Sequence, residues 1–190
     1  MRFSLPRRLV QLALRPSDAW VDIASGSGHP AAVLLPWPVL LAGLGPLSFL
    51  VGHGVVGGTG ASFGRAMGFS LVYYAFVLSL VLGMTVLLRR LGVVLGCRSD
   101  GEEALKLAAW SMTPFFIMGL SLGLPLSSWE SLVVVAGMLG GMGSGFLLYR
   151  GLAVVVRGDS RSRGLLAAAT AGSLLAAWVL GLFLLIRILL

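Results

Sequence analysis

The sequence predicts an all-α fold: a polytopic membrane helical bundle with five transmembrane helices, entered through a short interfacial amphipathic N-terminal helix. Three observations predict it. Hydrophobic residues fill 57% of the 190 positions and charged residues only 11%, where soluble domains carry about 25% charged residues. The apolar residues gather into five stretches close to the ~20 residues needed to cross a ~30 Å hydrocarbon core. The connections between them alternate between arginine-rich and arginine-poor. Residues 1–190 therefore read as one membrane domain, with 1–30 as its interfacial segment.

Pro6 suits an early helical position, with Leu5, Leu9 and Leu12 on one side and Arg8, Gln11 and Arg15 on the other. Such a helix lies in the headgroup plane. Pro16 ends it, and Ser17 can cap a second short helix carrying Asp18, Trp20, Asp22 and Ile23. A cleaved signal peptide is not expected, because Gln11 interrupts the apolar run Leu9–Leu14 and Arg15-Pro16 stops it.

The first crossing is read over 36–56. Pro36, Pro38, Gly43, Gly45 and Pro46 make it irregular, so its freed backbone groups need partners on neighbouring helices or water. The second, 66–88, is uninterrupted and ends at Arg89-Arg90, which can snorkel to the interface. Cys97 to Asp100 read as a short polar turn. The third element begins with Asp100, Glu102 and Glu103, acids favoured at a helix N-terminus, and its crossing is read over 104–124. Glu102 and Lys106 stand at i, i+4 in the favourable direction. Trp110 falls at a depth suited to an aromatic belt, and Pro114 predicts a kink. Pro125 marks a turn, and Ser127 and Glu130 have capping-box spacing. The fourth and fifth crossings are read over 131–156 and 164–186, joined by a compact polar loop from Arg157 to Arg163.

Loop charges set the threading. Arg2, Arg7, Arg8 and Arg15 precede the first crossing; Arg89, Arg90, Arg98 and Lys106 flank the second connection; Arg150, Arg157, Arg161 and Arg163 flank the fourth. Only Arg65 and Arg187 lie opposite. The positive-inside rule places the N-terminus in the cytoplasm and the C-terminus outside, as five crossings require. The net charge of +7 is thus a topology signal, and no nucleic-acid partner is expected.

Small residues are organised as helix-packing faces. Gly137, Gly141 and Gly145 recur every four residues in the fourth crossing, Gly119 and Gly123 in the third, Gly64 and Gly68 at the start of the second. Gly164, Ala168, Gly172 and Ala176 continue the pattern in the fifth. Such faces let backbones approach closely, within the bundle or between copies. The other candidate site is the polar interruption Trp110-Ser111-Met112-Thr113-Pro114. Ser111 and Thr113 can serve carbonyls that Pro114 leaves unpaired, or else form a polar pocket. Arg150 sits near enough the inner interface to snorkel. No P-loop or GxGxxG context supports a nucleotide, and no GxSxG elbow supports a hydrolase. The lone Cys97 leaves no internal disulfide and reads as a buried or lipid-facing bystander. His29 and His53 read as surface or interfacial residues rather than metal ligands. No cofactor, metal or catalytic activity is expected.

Arg15-Pro-Ser-Asp-Ala-Trp20, Leu107-Ala-Ala-Trp-Ser-Met-Thr-Pro114 and Tyr149-Arg-Gly-Leu152, together with the five-span plan, resemble the bacterial branch of the Yip1-domain membrane proteins. The resemblance implies a cytosolic N-terminus, five helices and residence in the bacterial inner membrane. Eukaryotic relatives bind Rab-type GTPases at secretory membranes, but this chain lacks their long N-terminal region and glycine/tyrosine-rich signature, so Rab binding is not implied. The resulting expectation is a non-catalytic protein that binds membrane lipids and self-associates or joins another membrane protein. A small transporter or channel component with a path near the kinked third helix is the alternative; a membrane-embedded enzyme would need acids and histidines brought together from distant segments.

Overall fold

Every regular element is a helix among the residues that the computed structural model describes: 5–25, 36–56, 62–97, 99–124 and 129–189, with side chains for all but 5–9, 36–38, 129–130 and 189. Two short helices, α1 (Leu5–Leu14) and α2 (Pro16–Ser25), come first. The next segment is broken into α3 (Pro36–Ala42), α4 (Leu44–Phe49) and a π-helical turn (Leu50–Val55). Then come α5 (Phe63–Val94), α6 (Gly101–Ser111), α7 (Thr113–Met118) with a 3-10 turn (Gly119–Gly123), α8 (Trp129–Val155) and α9 (Ser160–Leu189).

Among the described residues, four stretches are long and apolar enough to cross a membrane: Phe63–Val94, Gly101–Gly123, Ser131–Val155 and Ser160–Ile188. The chain is a multi-pass membrane protein. The first segment is not among these four: it is helical in three pieces from Pro36 to Val55, with a described apolar stretch over Val39–Val55.

Two helix ends differ from the sequence reading and a third falls at the expected acidic N-terminus, each set by a cap. Helix α5 continues through Arg89-Arg90 to Val94 and stops at Gly96, whose φ of 70° lies in the left-handed region. Cys97 N–H donates to Gly92 O at 2.7 Å and Gly96 N–H to Val93 O at 3.3 Å, the two bonds of a Schellman motif. A Cβ on Gly92 would lie 2.4 Å from Cys97 O, so both glycines are needed. Helix α6 starts at Gly101 under a capping box: Asp100 Oδ1 accepts from Glu103 N–H at 2.7 Å, and Glu103 Oε2 accepts from Asp100 N–H at 3.0 Å. The box expected at Ser127 and Glu130 lies outside the described side chains. Helix α9 begins inside the expected 157–163 loop, because Asp159 Oδ2 accepts from Ser162 N–H at 3.0 Å and caps it. The Glu102–Lys106 pair is present at 2.6 Å.

Helix α8 is the hub, and glycines bring its neighbours close on two sides. On one side a Cβ on Gly137 would fall 1.9 Å from the Trp178 ring, on Gly141 3.0 Å from Leu175 and on Gly145 3.2 Å from Ala171. That fixes α8 and α9 antiparallel. On the other side, a Cβ on Gly140 would meet Phe115 at 2.9 Å, on Gly143 Pro114 at 3.0 Å, and on Gly151 both Trp20 and Leu107 at 2.7 Å. Trp20 is fully buried there, with Ala19 and Ile23 of α2 and Leu12 of α1 also in the core. Leu12, Ala19, Trp20 and Ile23 therefore cover protein, while Val10, Leu14 and Val21 are exposed along with Arg15. Trp110, expected in a headgroup belt, is instead 2% exposed among the helices, because the small residues Ala104, Ala108 and Ala109 around it let α6 sink into the bundle.

Two outcomes test this packing. Gly137→Ala is expected to lower the unfolding temperature in detergent, by the roughly 1–3 kcal/mol typical of an overfilled core. Gly68→Ala, where a Cβ meets nothing within 4 Å, is expected to leave it unchanged or raise it. A second test concerns Asp159, whose carboxyl is held below its usual value of 3.8, first by the Ser162 hydroxyl and then by the Ser162 N–H. A lowered folded value means the cap is complete above the ordinary carboxylate range and is lost as pH falls through that lowered value. The Ser162 amide resonance should titrate with a midpoint below 3.8, and Asp159→Ala should abolish that titration.

Candidate functional site

The kink in the third span is built by one missing donor. Pro114 has no N–H to offer Trp110 O, the carbonyl four residues earlier. Thr113 Oγ1 donates to that carbonyl at 2.8 Å instead. Ser111 Oγ donates to Leu107 O at 2.5 Å and reaches Ala108 O at 3.3 Å. Both residues are buried. The hydroxyl protons at the kink are thus directed at backbone carbonyls of α6, leaving only weak acceptor capacity to face a ligand.

Beside the kink lies an open groove of about 320 Å³, lined by Leu12 and Ala13 of α1, Thr113, Pro114, Ile117 and Met118 of α7, and Gly143, Phe146 and Leu147 of α8. Its walls are almost wholly apolar, so it suits an acyl chain or an apolar side chain better than an ion. Arg150 stands one turn beyond Phe146 and is exposed, its guanidinium 5.3 Å from the Phe146 ring centre. A cation stacked on an aromatic face at the rim of an apolar groove is a snorkelling geometry. The structure thus gathers Thr113 and Pro114 at the groove wall, keeps Trp110 and Ser111 behind it in the core, and leaves Arg150 outside.

The small-residue faces divide into covered and uncovered ones. Gly137, Gly141 and Gly145 face α9. Gly119 and Gly123 face the broken first segment: a Cβ on Gly119 would lie 3.3 Å from Gly45 Cα, and one on Gly123 2.4 Å from Ser48 O. Conversely, a Cβ on Gly52 would fall 1.9 Å from Gly123 O. Gly64, Gly68 and Gly172 meet nothing within 4 Å, and Ala168 and Ala176 are exposed beside Gly172.

Sequence reasoning misplaced His53 and did not single out Trp178. His53 is fully buried rather than interfacial, with Nε2–H donating to Leu122 O at 3.0 Å and its ring 4.6 Å from that of Phe49. It covers a carbonyl of the 3-10 turn, which a hydrocarbon environment would otherwise leave exposed to lipid. Trp178 is buried, with Nε1 donating to Tyr73 OH at 3.1 Å and its ring edge-to-face with Phe115 at 5.3 Å. A tryptophan in mid-span opposite a glycine was the available signal. His29 lies outside the described residues. Cys97 is buried against Gly158, and burial pushes its thiol up, away from reactivity. Among the described residues, no three His, Cys, Asp or Glu side chains are placed to hold a metal ion.

The chain matches the model of the Yip1 domain over residues 10–185, from α1 to the last turn of α9. It belongs to the Yip1-domain family. The match takes in the kink, the apolar groove and both glycine faces of α8, so these are parts of the Yip1 domain rather than additions to it. No curated protein and no solved structure matches the chain.

The hydrogen bond at the kink is open to test. Thr113→Val removes the hydroxyl that donates to Trp110 O, which costs about 0.5–1.5 kcal/mol, while Thr113→Ser retains it. The valine variant should unfold at lower denaturing-detergent concentration than wild type, with the serine variant between them.

Proposed function

We propose that this Yip1-domain protein is a non-catalytic, multi-pass protein of the bacterial inner membrane that associates with a second copy of itself and organises lipid around the pair. In this reading the first segment forms a fifth crossing, α1 lies at the cytoplasmic interface, the N-terminus is cytoplasmic and the C-terminus is outside. The charge asymmetry of the loops supports that orientation.

One observation carries the association: the small-residue face of α9 is uncovered. A Cβ at Gly172 would meet nothing within 4 Å, and Ala168 and Ala176 flank it one turn away on either side. Other glycine faces of the same spacing, on the 3-10 turn of the third span and on α8, are filled by neighbouring helices. Backbones that can approach closely gain van der Waals contact that lipid tails do not match. The apolar groove beside the kink supports the lipid part of the proposal. A transporter reading is less well supported, because the hydroxyls at the kink serve the helix backbone and Arg150 points outward.

Disulfide cross-linking in native membranes tests the association. Ala176→Cys in a Cys97→Ser background should give a cross-linked dimer, and adding Gly172→Leu should abolish it. Gly141→Leu should instead disturb the bundle itself, because that glycine is in contact with Leu175. If Ala176→Cys gives no dimer while cysteines on α5 do, α9 is not the contact face.

A further inference from the structure

A second cavity lies at the charged end of the bundle. It is a groove of about 530 Å³ between the first turns of α6, the last turn of α8 and the connection into α9, with Ala24 of α2 at its edge. Glu103, Lys106, Arg157 and Arg163 supply its charged groups. Three of the candidate spans have an end here, at Gly101, Val155 and Ser160. The groove therefore sits where hydrocarbon gives way to headgroups.

Two features of the groove oppose an anion. Glu103 contributes a carboxylate, and the end of α8 presents carbonyls at the negative pole of its dipole. Both are already answered within the fold. Glu103 Oε2 accepts from Asp100 N–H in the capping box, and Arg163 Nη1 donates to Ala153 O at 3.0 Å. That bond also anchors the Arg163 guanidinium, whose planar fork keeps further donors free. Lys106 is held by Glu102 at 2.6 Å, so its ammonium is positioned but partly neutralised. Arg157 is exposed on the short connection. The balance is positive, with two arginine forks at one rim.

We propose that this groove binds a phosphate-bearing group, held chiefly by Arg157 and Arg163 with Lys106 behind them. Paired guanidinium forks match the oxygens of a phosphate bidentately. Its position supplies two sources for that group, the headgroup of an anionic phospholipid in the inner leaflet or a soluble phosphate ester. The inference rests on the membrane-crossing reading of the long helices and is independent of the α9 contact.

The full-length protein in a non-ionic detergent free of phosphate is titrated with short-chain phosphatidylglycerol, with glycerol 3-phosphate and with inorganic phosphate. Binding is read by thermal shift and by native mass spectrometry. Wild type should bind at least one of them, and Arg157→Gln should weaken it about tenfold, the loss of one charge-assisted hydrogen bond at the low end of its range. Arg187→Gln, whose guanidinium stacks on Phe183 at the far end of α9, should change nothing. Binding of the lipid alone assigns the site to a headgroup, whereas binding of all three assigns it to phosphate esters in general; either supports the site. No binding by any of the three, or binding that survives both Arg157→Gln and Arg163→Gln, overturns it. Retention of the α9 cross-link in those variants separates failure of this site from failure of the association.

Discussion

The bundle depends on the seat of Trp178. Its indole lies against Gly137 where any side chain would collide, donates to Tyr73 OH at 3.1 Å, and meets Phe115 edge-on. One side chain of α9 thereby touches α5, α7 and α8. In water such a cluster would be held largely by the hydrophobic effect, but lipid tails are as apolar as leucine and supply no comparable drive. What remains is contact density and the pairing of polar groups, and Trp178 supplies both. Its N–H would be costly to leave unmade in hydrocarbon, and Tyr73, buried on the facing helix, accepts it.

With that point fixed, the antiparallel register of α8 and α9 follows, one glycine per turn: Gly141 under Leu175 and Gly145 under Ala171. The same register leaves the Ala168–Gly172–Ala176 face turned outward. Helix α8 must serve neighbours on both sides, so it has no polar face and carries a second set of glycines, Gly140, Gly143 and Gly151, toward α6, α7 and Trp20. A helix apolar all round is buried or spans a membrane, and α8 also turns Val135, Leu139 and Met142 outward. At its C-terminal end the spans finish together and the cationic residues collect, so the architecture that places Trp178 also assembles the charged groove.

Much of this was legible in the sequence. Long apolar runs leave few alternatives to membrane helices, so the four long spans and the kink at Pro114 could be read directly. The Yip1 resemblance was carried by short motifs that fall at working places: Trp20 is wedged against Gly151, and Thr113-Pro114 makes the kink. What periodicity could not give was direction around the helix axis. The fourfold spacing of Gly137 and that of Gly172 look alike, yet one faces a partner and the other faces outward, because the choice is made by residues on a different helix. Helix ends were misjudged where polar residues extend a helix beyond its apolar run, as at Arg89-Arg90 and Ser160–Arg163. His53 and Trp110 were assigned to interfaces by residue type and position along the span, but both are buried, His53 against Leu122 of a segment distant in sequence.

The irregular backbone of the first segment and that of the third span answer each other. A π-helical turn over Leu50–Val55 and a 3-10 turn over Gly119–Gly123 both depart from the α-helical hydrogen-bond ladder. Non-helical backbone at membrane depth persists only where protein covers it. Here the cover is mutual: Gly52 lies on Gly123, Gly119 lies on Gly45, and His53 bonds Leu122 O. Ser48 Oγ bridges the two, donating at 2.8 Å to Gly45 O and lying 3.3 Å from Gly119 O. On its other side the first segment is tied to α5, with Ser70 Oγ donating to Pro46 O and Tyr74 OH to Val39 O. Pro46 and Pro38 withhold donors, and these side chains return hydrogen bonds to carbonyls of the same segment. A segment with so many broken ladder bonds would be poorly matched to lipid alone. The surface that satisfies it is supplied by α5 on one side and by the 3-10 turn of the third span on the other.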